Sequence, residues 1–264
     1  MRSTNTPRNI GLDVIRCIAL LCVISVHFFL NSGFYDEVVT GFSMYTMVLI
    51  RNSFMICVPL FMLLTGYLIR NTDISRKYFF KIERVLSIYI LSSIACAIYK
   101  MCQKDSFSAV LRSFLGAVIG LFSFETAPYS WYIEMYFGLF LLIPFLNIAY
   151  SGLQTQKEKK CLIAVLLFLT ALPSVVNIFC LAGIHWWLFP SSADNYYNII
   201  PQWWTDIYPI TYFYIGRYLR EYPLKLQPKT KLLLLILSGG VAGTFNFYRS
   251  YGSTFIWGPW QDYG

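Results

Sequence analysis

Charged residues are scarce in this sequence. They make up 13% of its 264 residues, whereas soluble domains carry about 25%. Hydrophobic residues account for 57%, and the mean hydropathy is +0.55. Short charged segments separate several apolar runs of about 17 to 25 residues, the length that crosses a bilayer as a helix. The scarcity of charge therefore excludes an ordinary soluble domain and predicts a polytopic bundle of membrane helices.

Sequence motifs of several soluble enzyme classes are also missing. The chain has no GxSxG elbow, no Walker loop and no HExxH pair, so serine-hydrolase, NTPase and zinc-protease chemistry have no support. Its seven cysteines form no CxxC and have no histidine at metal-ligand spacing. We therefore interpret the cysteines as small apolar residues and expect no metal site.

Acidic residues are the minority charge, with 13 Asp and Glu against 21 Lys and Arg. The basic residues sit in clusters between apolar runs, which is typical of membrane orientation signals and predicts no nucleic-acid partner. By the positive-inside rule, Arg2 and Arg8 place the N-terminus in the cytoplasm. The basic segment 70–84 then also lies inside, and the loop 31–44, which has no Lys or Arg, lies outside.

Seven apolar runs are predicted to span the membrane. They lie at 10–30, 45–69, 85–101, 131–150, 161–180, 203–219 and 232–248. An eighth run, 107–124, is diluted by Arg112, glycine and serine. If it crossed, the basic segments 154–160 and 217–231 would lie outside, so we predict a peripheral or re-entrant helix there. The expected fold is all-α, with one domain over 1–264 and multiple passes through the cell membrane.

The first span, GLDVIRCIALLCVISVHFFL at 11–30, carries Arg16 and His27. An ionisable side chain in a membrane segment costs about 2.5 to 3.5 kcal/mol on insertion scales and so indicates function. Eleven residues of helix return to nearly the same face about 16 Å further along, so both side chains can line one internal channel. The alternative is that Arg16 snorkels to the cytoplasmic surface and His27 marks the outer interface. Asp13 is the expected charge partner of Arg16.

Four segments, in order, resemble the acyltransferase-3 family of integral membrane acyltransferases. They are LDVIRCIALLCVISVH (12–27), VPLFMLLTGYLI (58–69), YFFKIERVLSIYI (78–90) and YSWYIEMYFGLFLLIPFLN (129–147). Two features depart from the family pattern. The usual pair of arginines in the third segment is here Lys81 and Arg84. The fourth segment often opens His-Leu-Trp, whereas Tyr129 and Ser130 precede Trp131 here, so no role for that histidine carries over.

The resemblance implies transfer of an acyl group, usually acetyl, from cytoplasmic acetyl-CoA to a hydroxyl of a cell-surface or lipid-linked carbohydrate. Acyl-CoA would be a co-substrate, with no bound cofactor. His27, as a neutral imidazole, would act as general base on the sugar hydroxyl. Arg16 would bind a CoA phosphate or stabilise the oxyanion at the thioester carbonyl. Lys81 and Arg84 would hold CoA phosphates, or serve only as cytoplasmic anchors.

Two other functions fit the same residues. Intramembrane Arg and His also line solute pathways, so a transporter or exporter of a glycan precursor or small solute is an alternative, as is a non-catalytic sensory membrane domain. Glu134 and His185, the latter in the aromatic outer segment 181–205, are weaker site candidates. Members of the family generally have more spans than the seven counted here, so we expect the chain to be a fragment or a natural truncation at its C-terminal end.

Overall fold

The structure is a computed structural model that describes residues 9–69, 72–104, 106–177 and 200–256. Its helices are α1 (Ile10–Asn31), α2 (Gly41–Phe54), α3 (Cys57–Leu68), α4 (Arg76–Phe79), α5 (Glu83–Cys102), α6 (Phe107–Phe122), α7 (Trp131–Gly152), α8 (Gln156–Thr170), α9 (Leu172–Val176), α10 (Tyr208–Glu221) and α11 (Pro228–Ser250). In these ranges the β pairing is one isolated bridge, between Val38 and Thr254. The all-α prediction is confirmed.

Five helical stretches in the described residues are long and apolar enough to cross a bilayer. They are Ile10–Asn31, Gly41–Leu68, Arg76–Cys102, Trp131–Gly152 and Pro228–Ser250, and they match five of the predicted spans. The other two predicted spans, 161–180 and 203–219, fall on shorter helices, because α8 has 15 residues and α10 has 14. Residues 178–180 of the former lie outside the described part of the chain.

The predicted span 45–69 consists of two helices, α2 and α3, with a turn at 55–56 between them. Pro59, in the first turn of α3, has no N–H to donate to the carbonyl of Met55. The backbone hydrogen bonds of the helix are therefore interrupted at Met55, four residues before the proline. The apolar run of the sequence continues through this break.

The described residues group into two compact units. The first contains the chain up to Leu68 and from Thr155 onward, and the second is Ile69–Gln154. In the first unit α3 and α10 approach so closely that a Cβ at Gly66 would overlap the backbone carbonyl of Phe213. Small residues allow this spacing between membrane helices, where packing is the main attraction.

One end of the first unit collects the end of α3, the start of α8 and the end of α10. Gln156 Nε2 donates to Tyr218 Oη at 2.9 Å, and Arg220 Nη1 donates to the Tyr67 carbonyl at 2.9 Å. The chain thus leaves this unit after Leu68 and returns at Thr155 at the same end. A chain that leaves and returns at the same end of a membrane-spanning unit crosses the membrane an even number of times in between.

The second unit has two long helical stretches and a helix that turns back. Asn147 Nδ2 donates to Thr72 Oγ1 at 2.6 Å, so the last part of α7 lies beside the segment that leads into α4 and α5. After α6 the chain reverses, and Thr126 Oγ1 donates to the carbonyl of Ala117 at 2.7 Å. The re-entrant position of 107–124, with α5 and α7 as the two crossings, stays a prediction.

Candidate functional site

Arg16 lies at the start of α1, paired with Asp13. Asn9 caps this helix by accepting a hydrogen bond from the Gly11 N–H. Arg16 Nη1 donates to Asp13 Oδ1 at 2.7 Å, with 49% of the arginine side chain and 26% of the aspartate side chain exposed. The positive end of a helix favours the carboxylate and disfavours the guanidinium, so the pair offsets an unfavourable position for Arg16. The expected charge partner is confirmed.

His27 lies eleven residues further along the same helix and is half-buried. Its Nδ1 atom is buried, and its backbone carbonyl accepts a hydrogen bond from Asn31 Nδ2 at 2.7 Å. Because α1 is unbroken, Arg16 and His27 keep nearly the same direction, about 16 Å apart along the axis. Arg16 reaches back to Asp13, away from His27. The two side chains therefore share a strip of α1 without touching.

An apolar cavity of about 380 Å³ lies at the Arg16 end of this unit, between α1, α3 and α10. Leucine and isoleucine side chains form most of its wall, and Asn9 and Tyr67 supply its polar atoms. Neither Arg16 nor His27 lines it. Tyr67 is held by Arg220, whose guanidinium carbon lies 5.0 Å from the centre of the tyrosine ring.

Lys81 and Arg84 line one open cavity of about 740 Å³ in the second unit. Phe80, Glu83, Ser87 and Ile88 complete its lining. Its volume lies within the roughly 300 to 1,000 Å³ typical of ligand pockets. Lys81 belongs to the short 3-10 turn between α4 and α5, and Arg84 is the second residue of α5. The structure thus brings together the two basic residues that the sequence singled out.

Four basic residues crowd the start of the helical stretch that contains this cavity: Arg76, Lys77, Lys81 and Arg84. Ser75 caps that start, its hydroxyl oxygen accepting from the Tyr78 N–H at 3.2 Å. Helix N-termini attract anions and repel cations within the first turn, so the positions of Arg76 and Lys77 are unfavourable for positive side chains. A bound polyanion would offset both the dipole and the mutual repulsion of the cations.

Arg51 is a buried residue that the sequence reasoning missed. Its side chain is fully buried, Nε donates to Tyr35 Oη at 3.0 Å, and the guanidinium carbon lies 4.8 Å from the centre of the Phe255 ring. It joins α2 to the loop after α1 and to the segment after α11. The sequence does contain the evidence that could have identified it, because Arg51 is an ionisable residue inside a predicted span, as Arg16 is. Arg217 and Arg249 are buried in the same unit.

The structure adds little support for a functional role of the two weaker candidates, Glu134 and His185. Glu134 is exposed in the first turn of α7, a favourable place for a carboxylate at a helix start. His185 lies outside the described residues.

The family model of an acyltransferase domain, that of the acyltransferase-3 family, matches residues 9–264, which include every candidate residue discussed above. No curated protein and no solved structure matches the chain at a significant level.

Proposed function

The chain belongs to the acyltransferase-3 family, and on that premise we propose that it moves an acyl group, acetyl in the first place, from cytoplasmic acyl-CoA to a hydroxyl of a cell-surface or lipid-linked carbohydrate. Family membership makes the protein a membrane acyltransferase. The donor, the acceptor and the roles of individual residues are the proposal.

The observation that carries the proposal is the cavity that Lys81 and Arg84 share. Coenzyme A carries a diphosphate and a 3′-phosphate, and charge-assisted hydrogen bonds to such groups are among the strongest a protein makes. Ser87 adds a neutral donor, while Glu83 in the same lining would repel a phosphate placed beside it. This cavity supports a donor site in which the phosphates lie against Lys81 and Arg84.

His27 is the proposed general base. A sugar hydroxyl is a poor nucleophile until its proton is taken, and a neutral imidazole can take it near neutral pH. As the proton moves to His27, the sugar oxygen bonds to the thioester carbonyl carbon and a tetrahedral oxyanion forms. The carbon–sulfur bond then breaks, and the thiolate leaves with the proton that His27 returns. No group other than donor, acceptor and His27 is needed to balance this step.

Arg16 is the proposed contact for the donor. Its side chain is directed away from His27 and half of it is exposed, so in this conformation it is poorly placed for an oxyanion beside His27. A planar guanidinium can still bind a phosphate through two parallel hydrogen bonds. The geometry therefore favours a phosphate-binding role over an oxyanion role.

The test is incorporation of labelled acetyl groups into surface carbohydrate, compared between cells with and without the gene. Transfer predicts label in the carbohydrate that disappears with the gene and returns with the wild-type chain. A transporter would move its solute and leave it unmodified. Equal label with and without the gene would contradict the proposed donor and acceptor.

A further inference from the structure

A cavity of about 240 Å³ separates α5 from α6 in the second unit. Ala97 and Ala117 both line it, and their short side chains leave the space. Larger apolar side chains form the rest of the wall: Ile94, Ile98 and Met101 from α5, and Phe114, Val118 and Leu121 from α6. The wall is thus suited to an alkyl chain.

The cavity opens toward the surface that a bilayer would cover. Ile94 is 48% exposed and Phe114 is 50% exposed, although both line the cavity. The stretch Arg76–Cys102, which includes α5, is long and apolar enough to span a membrane. A ligand would therefore enter sideways from the lipid phase.

Ser93 supplies a buried hydroxyl in this apolar lining. The residue is 1% exposed, and in the part of the chain that the structure describes its Oγ atom has no hydrogen-bond partner. A helical serine commonly bonds the carbonyl four residues before it, and a buried hydroxyl left without a partner costs free energy. Ser93 lines the cavity, so an oxygen atom of a bound ligand would satisfy it.

Lys100 brings a positive charge to the same cavity. It lies seven residues after Ser93, which places both on one face of α5 about 10 Å apart along the axis. Lys100 Nζ donates to the carbonyl of Thr126 at 3.1 Å, and Thr126 is itself part of the lining. The ammonium group therefore lies at the edge of the cavity.

The turn that carries Thr126 has a strained backbone conformation. Phe124 has a left-handed backbone, with φ of 57°, and its ring stacks on that of Tyr89 at 4.8 Å. A Cβ at Gly120 would come within 2.7 Å of Thr126 Oγ1, so the close return requires glycine there. Strained backbone of this kind persists where the surroundings fix it, and it clusters at ligand sites.

We propose that this cavity binds one acyl chain of an anionic membrane phospholipid. The chain lies between α5 and α6, the Ser93 hydroxyl donates to an ester carbonyl of the lipid, and the Lys100 ammonium binds the phosphate. An alkyl chain gains little from leaving the bilayer, because lipid is as apolar as the cavity wall. Selection therefore comes from Ser93 and Lys100, the two polar groups at the site.

Photo-crosslinking of the full chain in nanodiscs tests the proposal. The probe is phosphatidylglycerol with a diazirine on one acyl chain, and its comparison is diacylglycerol with the same chain, which keeps the ester carbonyls and lacks the phosphate. We expect label on the lining residues at 94, 98, 101, 114, 118 and 121, in excess of label on the outward-facing Ile119 and Phe122. Ala97→Phe should fill the cavity and remove that excess. Leu91→Phe, on the exposed side of α5 and outside the lining, is the matched control and should not.

Lys100→Gln keeps the test valid if Ala97→Phe fails to fold, because Lys100 is exposed and its replacement leaves the wall intact. Removing one charge-assisted contact should lower labelling by phosphatidylglycerol about ten-fold or more, and leave labelling by diacylglycerol, which has no phosphate, unchanged. If the two lipids label the site equally and Lys100→Gln changes neither, the phosphate contact is overturned. Uniform labelling of the whole lipid-facing surface would overturn the site. Neither result bears on acyl transfer.

Discussion

Arg16 and His27 share one strip of α1 at different depths, and this separation divides their proposed roles. A base must contact the hydroxyl that it deprotonates, whereas a phosphate can be held far from the reacting carbonyl of an acyl-CoA. Arg16, paired with Asp13 at the start of the helix, suits the second task. His27, half-buried in the later part of the helix, suits the first.

His27→Ala should lower acyl transfer by about 10² to 10⁴, because a lost general base typically costs that factor in rate. Phe28→Ala, a change on the exposed side of α1 next to His27, is the control and should retain activity. The measurement is acetyl incorporation into surface carbohydrate at matched protein abundance. Adding Phe28→His to His27→Ala turns the imidazole by about 100° and should not restore transfer. Near wild-type incorporation by His27→Ala would make the interfacial role of His27 the better interpretation.

Replacing both Lys81 and Arg84 with Gln should raise the apparent KM for acetyl-CoA about ten-fold to more than a hundred-fold. The estimate follows from a loss of about 1.5 to 3 kcal/mol for a charge-assisted phosphate contact. Lys77→Gln removes a charge from the same helix start but from a residue outside the cavity lining, so it controls for the general effect of charge. If neither the double variant nor Lys77→Gln changes the dependence of the rate on acetyl-CoA, the basic residues only anchor the helix.

The residues that the sequence identified are those whose evidence is local. The Arg16 and His27 spacing and the Asp13 partner follow from helical periodicity, and the Lys81 and Arg84 cavity needs only one turn of helix. Arg51 was harder to identify, because the aromatic rings that surround it come from Tyr35 and Phe255, far apart in the chain. A hydropathy window also averages a single arginine into its apolar neighbours.

At the scale of helices, the apolar core of a run is easier to predict than its ends. α8 begins at Gln156, five residues before the predicted span, because Thr155 and Glu158 form a capping box that starts a helix in a polar segment. The span 45–69 was predicted as continuous, although Pro59 marks the break between α2 and α3. Capping and proline geometry act on single backbone groups, which hydropathy does not measure.

Gly66→Ala should destabilise the pairing of α3 and α10, because the added methyl group would overlap the backbone carbonyl of Phe213. Backbone cannot rotate away as a side chain can, so we expect a cost of at least the roughly 1 to 3 kcal/mol of overpacking. Gly138→Ala in α7, where nothing lies within 4 Å of the added Cβ, should be neutral or slightly stabilising. Thermal unfolding of the two purified variants in one detergent compares them. Equal melting temperatures would show that the helices do not pack this closely.

At the scale of the whole chain, the two ends of the first unit differ in charge. The end that holds the Tyr67 contact also carries Arg16, Arg220 and the buried Lys159, which donates to Glu221 Oε2 at 2.8 Å. The opposite end brings the loop after α1 to the segment after α11, through the Val38 and Thr254 bridge. Its arginines, Arg51 and Arg249, are buried, and the exposed charges of that loop are Asp36 and Glu37. The positive-inside rule predicts that the first end is the cytoplasmic one, which would place Arg16 on the side from which we propose that acyl-CoA enters.

Cysteine labelling in intact cells tests this orientation and the position of α6 together. In a background without the seven native cysteines, Gln156→Cys should be protected from a membrane-impermeant maleimide until the cells are opened. Glu37→Cys, in the loop after α1, should react in intact cells, which controls for reagent activity. The reason is the count of crossings: α5 and α7 return the chain to the side it left, whereas a third crossing by α6 would put Gln156 outside. Labelling of both positions from outside would show that α6 crosses, and labelling of Gln156 alone would show that the whole orientation is inverted.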